Sequence, residues 1–328
     1  MTDIKYPRRH TNRTRFPAVL GIMSVFVFAL FLRNAEIASE YIVSGLSLCA
    51  RAVIPSLFPS MVVSELLIHS GISRGIGKLI RRPARALFGI GGESGCAVVL
   101  GMLCGFPIGA RCALALYESG KIDRGELCLL LCISGSPSSA FLISAVGVTL
   151  FGDKAFGLTL YAITLTSATL TGIIGKFILR RKGRAAPPLT YARENAPTES
   201  ASSIFTQAVS SSAFAMLKIC AFIVFFSAFV GTLSHMLNAF SLSETTEALI
   251  FGFFELTGGT ARAAALGGRL GKLLCAAFAG WSGVSVHFQL ASLCDGKAVP
   301  MLPYVGAKLL QGALNVFIFC LGSSLGLF

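Results

Sequence analysis

The chain has 328 residues and a mass of 34.5 kDa, with 54% hydrophobic residues, 13% charged residues and a net charge of +13. This composition, with a mean hydropathy of +0.75, excludes a soluble enzyme, a collagen and a disordered scaffold, because so few charges cannot cover a soluble surface. It predicts an all-α polytopic membrane protein, since the apolar stretches are long and not alternating.

Half of the basic residues are concentrated in three clusters. Their positions indicate membrane topology rather than nucleic-acid binding. The clusters lie at residues 5–15, 74–85 and 180–184, each beside an apolar stretch. Lysine and arginine near the end of a membrane segment resist translocation, so all three clusters are expected in the cytoplasm. We therefore expect membrane lipid, and not nucleic acid, around this protein.

The first two predicted elements are a leading helix and a crossing. An apolar run over 16–32 follows the basic start, and the residues after Arg33 do not form a small-x-small cleavage site, so an uncleaved helix is favoured over a signal peptide. The stretch over 52–70 is apolar and carries Pro55 and Pro59, which a membrane helix tolerates at kinks. It returns the chain to the cytoplasm.

Three apolar stretches, 96–117, 127–151 and 155–179, lie between the second and third basic clusters. An odd number of full crossings cannot join two cytoplasmic clusters, so one stretch has to enter and leave on the same side. The stretch 96–117 is the candidate re-entrant hairpin, because glycines and a proline at 105–109 leave backbone groups unpaired. The next stretch is interrupted at 134–139 and is typical of a discontinuous helix.

The second half of the chain repeats this order. A crossing over 213–233, a stretch broken at 257–260, a stretch broken at 280–285 and a last crossing over 304–325 follow a polar linker. The order predicts two inverted repeats with discontinuous helices, about seven transmembrane helices and two re-entrant hairpins, the plan of a secondary transporter. The predicted domains are a tail and leading helix at 1–36, a first repeat at 37–184, the linker at 185–203 and a second repeat at 204–328.

No arrangement of residues points to catalysis. The four histidines are scattered, and no zinc-protease, nucleophile-elbow or phosphate-loop motif is present. The ten cysteines lie mostly in apolar runs without a C-x-x-C pair, which is typical of small buried residues. We expect neither an enzyme nor a bound cofactor or metal.

The broken elements are the candidate binding site for a small anionic solute. A discontinuous helix presents free N–H groups at a partly positive end, and serine hydroxyls add hydrogen bonds. The alternative is that these glycines and serines only permit close helix packing. The candidate substrate-binding residues are Gly105, Phe106, Pro107, Gly109, Arg111, Ser134, Gly135, Ser136, Thr257, Gly258, Gly259, Arg262, Ser282, Gly283, Ser285 and Gln289.

Arg111 and Arg262 follow the two hairpin breaks at matching places. A guanidinium at membrane depth costs ~3 kcal/mol or more, and two of them would complement a carboxylated substrate through bidentate pairs. The alternative is that each reaches the interface or pairs locally, Arg111 with Glu118 and Arg262 with Glu255. Two lysines within later crossings are further candidates: Lys218 and Lys308.

Several short motifs carry a resemblance to a known family: 54–59, 64–67, 105–110, 116–120, 134–137, 145–147, 280–286 and Gln289. They resemble the Gate, or nucleoside-recognition, membrane family, and within it the sporulation branch of the YlbJ type. The resemblance implies a hairpin and broken-helix plan similar to that of concentrative nucleoside transporters, and movement of dipicolinate across the outer forespore membrane of a spore-forming bacterium. A non-transporting scaffold of the spore envelope and a nucleoside-type transporter are the alternatives, and a homo-oligomer is compatible with each.

Overall fold

The computed structural model describes residues 15–69, 72–91, 93–181, 200–237, 242–294, 299 and 301–326. These residues are almost entirely helical and contain no strand. Five of the described helices are long and apolar enough to cross a membrane: Ala35–Leu67, Lys154–Arg181, Ser202–Leu237, Gly268–Leu293 and Met301–Ser324. The prediction of an all-α polytopic membrane protein is confirmed at this level.

The first half of the chain contains a helix pair joined at a break, a broken helix and a long apolar helix. Its elements are α1 (Arg15–Arg33), α2 (Ala35–Leu48), a π-helical turn π1 (Cys49–Val53), α3 (Ile54–His69), α4 (Ile72–Phe88), α5 (Ser94–Cys104), α6 (Phe106–Glu118), α7 (Arg124–Ser134), a second π-helical segment π2 (Ala140–Leu150) and α8 (Lys154–Arg181). The crossing predicted over 52–70 is longer than expected, because α2, π1 and α3 continue without a break.

The second half contains six described helices. They are α9 (Ala201–Leu237), α10 (Glu244–Phe254), α11 (Leu256–Leu266), α12 (Gly268–Trp281), α13 (Gly283–Leu293) and α14 (Met301–Ser324). Most of the predicted linker lies outside the described residues, and α9 begins at Ala201, within the predicted linker.

Seven full crossings are not confirmed. The stretch predicted over 127–151 is divided into α7 and π2, and each piece has 11 residues, too few to cross a membrane of about 30 Å alone. The apolar part of the leading helix that the structure describes, Gly21–Arg33, is also shorter than a full span.

Close glycine contacts hold the two arms of each hairpin together. A Cβ added to Gly109 on α6 would lie 2.7 Å from the Cα of Gly101 on α5. In the second hairpin, a Cβ added to Gly259 on α11 would lie 2.2 Å from the Cα of Gly252 on α10. Both distances are too short for a real side chain, so these positions set how closely the arms approach.

The hairpin breaks are shorter than predicted. The first is the single residue Gly105, with φ +87°, and Phe106 and Pro107 already form the first turn of α6. Proline fits there because a first-turn amide has no partner within the helix. The second break is at Glu255, so the prediction that 257–260 is unwound is wrong: these residues form the first turn of α11.

Candidate functional site

The helix breaks of both halves meet around a cavity, called here the central cavity. The space in it that is open to the centre of a water molecule is ≈ 50 Å³, room for a few waters at about 10–15 Å³ each. The breaks contribute residues 105–107, 137–138, 255–257 and Ser282 to its lining.

Apolar side chains close the rest of the central cavity. They come from π1, α3, π2, α9 and α13, and Gln289 adds a polar group on α13. A mostly apolar wall with a few converging polar groups is typical of a small-molecule site. The apolar wall comprises Val53, Leu57, Met61, Phe141, Ile219, Ile223 and Val286.

Three helices begin at the central cavity: α6, α11 and α13. The N-terminus of a helix carries a partial positive charge and unpaired N–H groups. Neither Gly105, which precedes α6, nor Ser282, which precedes α13, caps its helix with a side chain. These two N-termini can therefore donate hydrogen bonds to a ligand.

The N-terminus of α11 differs, because the Glu255 side chain caps it. Its carboxylate accepts hydrogen bonds from the Thr257 N–H at 2.9 Å and from the Gly258 N–H. Glu255 is 2% exposed and lines the central cavity. From the sequence, Glu255 was expected only as a partner for Arg262, although a carboxylate within an apolar stretch is itself a signal of a special position.

Arg111 does not line the central cavity. It forms an ion pair with Glu65 on α3, whereas the local alternative placed it with Glu118. Its Nη2 also donates to the Ser211 hydroxyl on α9 at 2.9 Å. The guanidinium thus joins the first hairpin to two other helices.

Arg262 is likewise separate from the central cavity and bound to a carboxylate. Its Nε lies 3.1 Å from Glu247 Oε1 on α10, and its guanidinium carbon lies 3.2 Å from the ring centre of Phe251. The local alternative with Glu255 is therefore wrong about the partner. Nothing in this arrangement brings the two arginines together at one ligand.

Several predicted site residues lie behind the central cavity, at the break between α7 and π2 or in α13. The Ser134 hydroxyl donates to a carbonyl of its own helix at 2.6 Å, and Gly135 packs against the ring of Tyr304. The hydroxyls of Ser136 and Ser285 are buried and make no hydrogen bond with the described residues.

Some of the predicted residues line the central cavity and others do not. Those that line it are Gly105, Phe106, Pro107, Thr257, Ser282 and Gln289. Those outside its lining are Gly109, Arg111, Ser134, Gly135, Ser136, Gly258, Gly259, Arg262, Gly283 and Ser285.

A buried polar face on α14 meets the end of α7. Tyr304, Lys308, Gln311 and Asn315 each have 0% exposure. Their spacing of four, three and four residues places them on one side of the helix. The sequence analysis noted Lys308 alone, although this spacing within an apolar helix was the available signal.

Two helix pairs joined at breaks, two broken helices and five helical stretches long enough to span a membrane define a polytopic helical membrane protein, with a small cavity where the breaks meet. The chain is 28% identical over 335 residues to the sporulation integral membrane protein YlbJ of Bacillus subtilis (strain 168), in an alignment that covers 92% of this chain and 82% of that protein. This similarity supports the assignment of the chain to the YlbJ type. No protein-family model and no solved structure matches the chain.

Proposed function

We propose that this protein transports a small anionic solute, dipicolinate, across the outer forespore membrane. The observation that carries the proposal is the convergence of the uncapped N-termini of α6 and α13 on the central cavity. Helix N-termini are suited to carboxylate ligands because their N–H groups and dipole both favour negative charge. The name of the Bacillus subtilis relative connects that protein with sporulation, and the proposal of dipicolinate rests on the resemblance of the motifs to the sporulation branch.

The proposal includes a topology of seven crossings and two inverted repeats. In it, α5–α6 and α10–α11 are re-entrant hairpins, and α7 with π2 forms one interrupted crossing. The matching glycine contacts of the two hairpins, Gly101 with Gly109 and Gly252 with Gly259, support a repeat. Irregular backbone at membrane depth is tolerated where protein surrounds it, and the breaks are enclosed in this way.

Loading the site requires its walls to move. Ligand pockets commonly measure about 300–1,000 Å³, and the central cavity is far smaller than a pyridine ring with two carboxylates needs. Alternating access would open it on one side at a time, with a hairpin moving relative to α3 and α9.

Uptake into proteoliposomes tests the proposal. The test variant is Gly105→Ala, because Gly105 has φ +87° and an added Cβ would lie 2.8 Å from the Ser138 nitrogen at the cavity. The matched control is Gly306→Ala on α14, where an added Cβ meets nothing within 4 Å. We expect the wild type and the control to accumulate labelled dipicolinate and the test variant to lose at least about tenfold in initial rate.

Three outcomes would contradict the proposal in different ways. No uptake by an inserted, folded wild-type protein would favour the scaffold function. Competition by nucleosides but not by pyridine carboxylates would favour a nucleoside-type transporter. Equal rates for both glycine variants would remove the central cavity as the site.

A further inference from the structure

Lys308 places its amino group deep inside the described helices. It is 0% exposed and forms no ion pair with a described carboxylate. Its Nζ donates to the Gly135 carbonyl at 3.1 Å and to Gln311 Oε1 at 2.7 Å. A buried ammonium without a counter-ion needs other partners, and the two acceptors of Lys308 are both neutral oxygens.

One of the two oxygens that Lys308 contacts, the Gly135 carbonyl, belongs to the broken end of α7, and the other belongs to Gln311 on α14. Helix α7 ends at Ser134, and the carbonyls at the C-terminus of a helix carry a partial negative charge. Gln311 Nε2 donates to the Cys132 carbonyl at 2.8 Å, which turns the Gln311 side-chain oxygen towards Lys308. Carbonyls at the end of a half-helix are also where membrane transporters coordinate monovalent cations.

Further oxygens at the same place have no partner. The hydroxyls of Tyr304 and Ser136 are buried and make no hydrogen bond with the described residues. Tyr304 lies one turn before Lys308, and its hydroxyl would be 3.3 Å from a Cβ on Gly135. Ser136 follows Gly135 directly. The surroundings are therefore richer in oxygen than the two bonds of the ammonium require.

We propose that the Lys308 ammonium is a tethered cation that permanently fills a monovalent-cation site at the broken end of α7. A lysine in this position supplies the charge without a free ion, so the wild-type protein needs neither Na⁺ nor K⁺ there. Removal of the ammonium, with the oxygens kept, opens the site to a free cation. The inference draws its biological meaning from the proposed transport, but the site itself needs no substrate.

Thermal unfolding of the full-length protein in detergent tests this without any transport assay. Each variant is heated in choline chloride and in NaCl at equal ionic strength. We expect the wild-type Tm to be the same in both salts. In choline chloride, the Tm of Lys308→Ala should be several degrees below that of the wild type. Addition of Na⁺ or methylammonium should raise the Tm of this variant in a saturable manner, as ligand binding to the folded state requires.

The matched control is Lys218→Ala, because Lys218 is exposed on α9; its Tm should not depend on the cation. Lys308→Met keeps the volume without the charge and should lower the Tm equally in both salts. An identical Tm of Lys308→Ala in NaCl, choline and methylammonium would overturn the proposal. A wild-type Tm of Lys308→Met would also overturn the proposal. This second measurement does not depend on whether the alanine variant folds.

Discussion

Arg111 on α6 and Glu65 on α3 form an ion pair between residues that are 46 positions apart in the chain. The same guanidinium reaches Ser211 on α9. Since α3 and α9 contribute Leu57 and Ile219 to the wall of the central cavity, this arginine joins the first hairpin to two helices of that wall.

Removal of either partner of this pair should destabilise the protein. Glu65 is buried, whereas the Arg111 side chain is 39% exposed. Glu65→Gln therefore leaves the Arg111 guanidinium without its carboxylate and only partly accessible to water. We expect a coupling energy of about 1–3 kcal/mol between Glu65→Gln and Arg111→Gln in a double-mutant cycle of unfolding. Strictly additive effects would show that the pair does not hold the hairpin.

Neutralising Glu255 should strengthen the binding of an anion. Glu255→Gln removes a negative charge from the central cavity and keeps one oxygen that can accept from the Thr257 N–H. We expect a lower Kd for dipicolinate in calorimetry and a loss of stability of about 0.5–2 kcal/mol from the weaker cap.

Glu247→Gln is the control for this change, because it removes a carboxylate that lies next to Arg262 and outside the cavity lining. It should not tighten binding. Weaker dipicolinate binding by Glu255→Gln would contradict this prediction, because it would mean that the Glu255 carboxylate accepts a hydrogen bond from the ligand.

Arg262→Lys distinguishes an anchoring arginine from a substrate-binding one. A lysine can keep the charge near Glu247 but loses the stack on Phe251, so we expect a stability loss of about 0.5–1 kcal/mol. The preference for a pyridine dicarboxylate over a monocarboxylate should not change in competition binding. A reduced preference would restore the hypothesis of a bidentate contact with substrate.

The ion pair between Asp153 and Lys272 predicts a small pH effect. Lys272 Nζ lies 2.7 Å from Asp153 Oδ2, and this hydrogen bond, together with one from the Phe156 N–H, lowers the pKa of Asp153. The folded-state pKa is below the unfolded value, so the stabilisation is present above the ordinary pKa of aspartate and is lost as the pH falls through the lowered value.

Lys272→Met should therefore reduce the fall in Tm between neutral and acidic pH. The effect should stay below about 1 kcal/mol, because about a third of each side chain is exposed, and salt should weaken it. An equal acid-induced fall in the variant and the wild type would contradict this.

Local properties of the chain are predictable from the sequence. Hydropathy and the absence of charge over about 20 residues identify membrane helices regardless of their partners, so the helical membrane class follows from the pattern. The predicted breaks were close for the same reason: Gly105 and Ser282 have positive φ values that interrupt a helix whatever packs around it. The predicted position of the break in the second hairpin was wrong, because the Glu255 side chain caps the start of the next helix and the glycines lie within that helix.

The sequence alone determined that this is a helical membrane protein with interrupted helices in both halves. Only the tertiary structure decided which breaks share a cavity and which residues compensate the buried charges. Lys308 bonds to the carbonyl of Gly135, 173 positions away, and Arg111 pairs with Glu65 on a different helix. Helical periodicity relates residues three or four positions apart, and contacts between distant segments depend on how the whole set of helices packs.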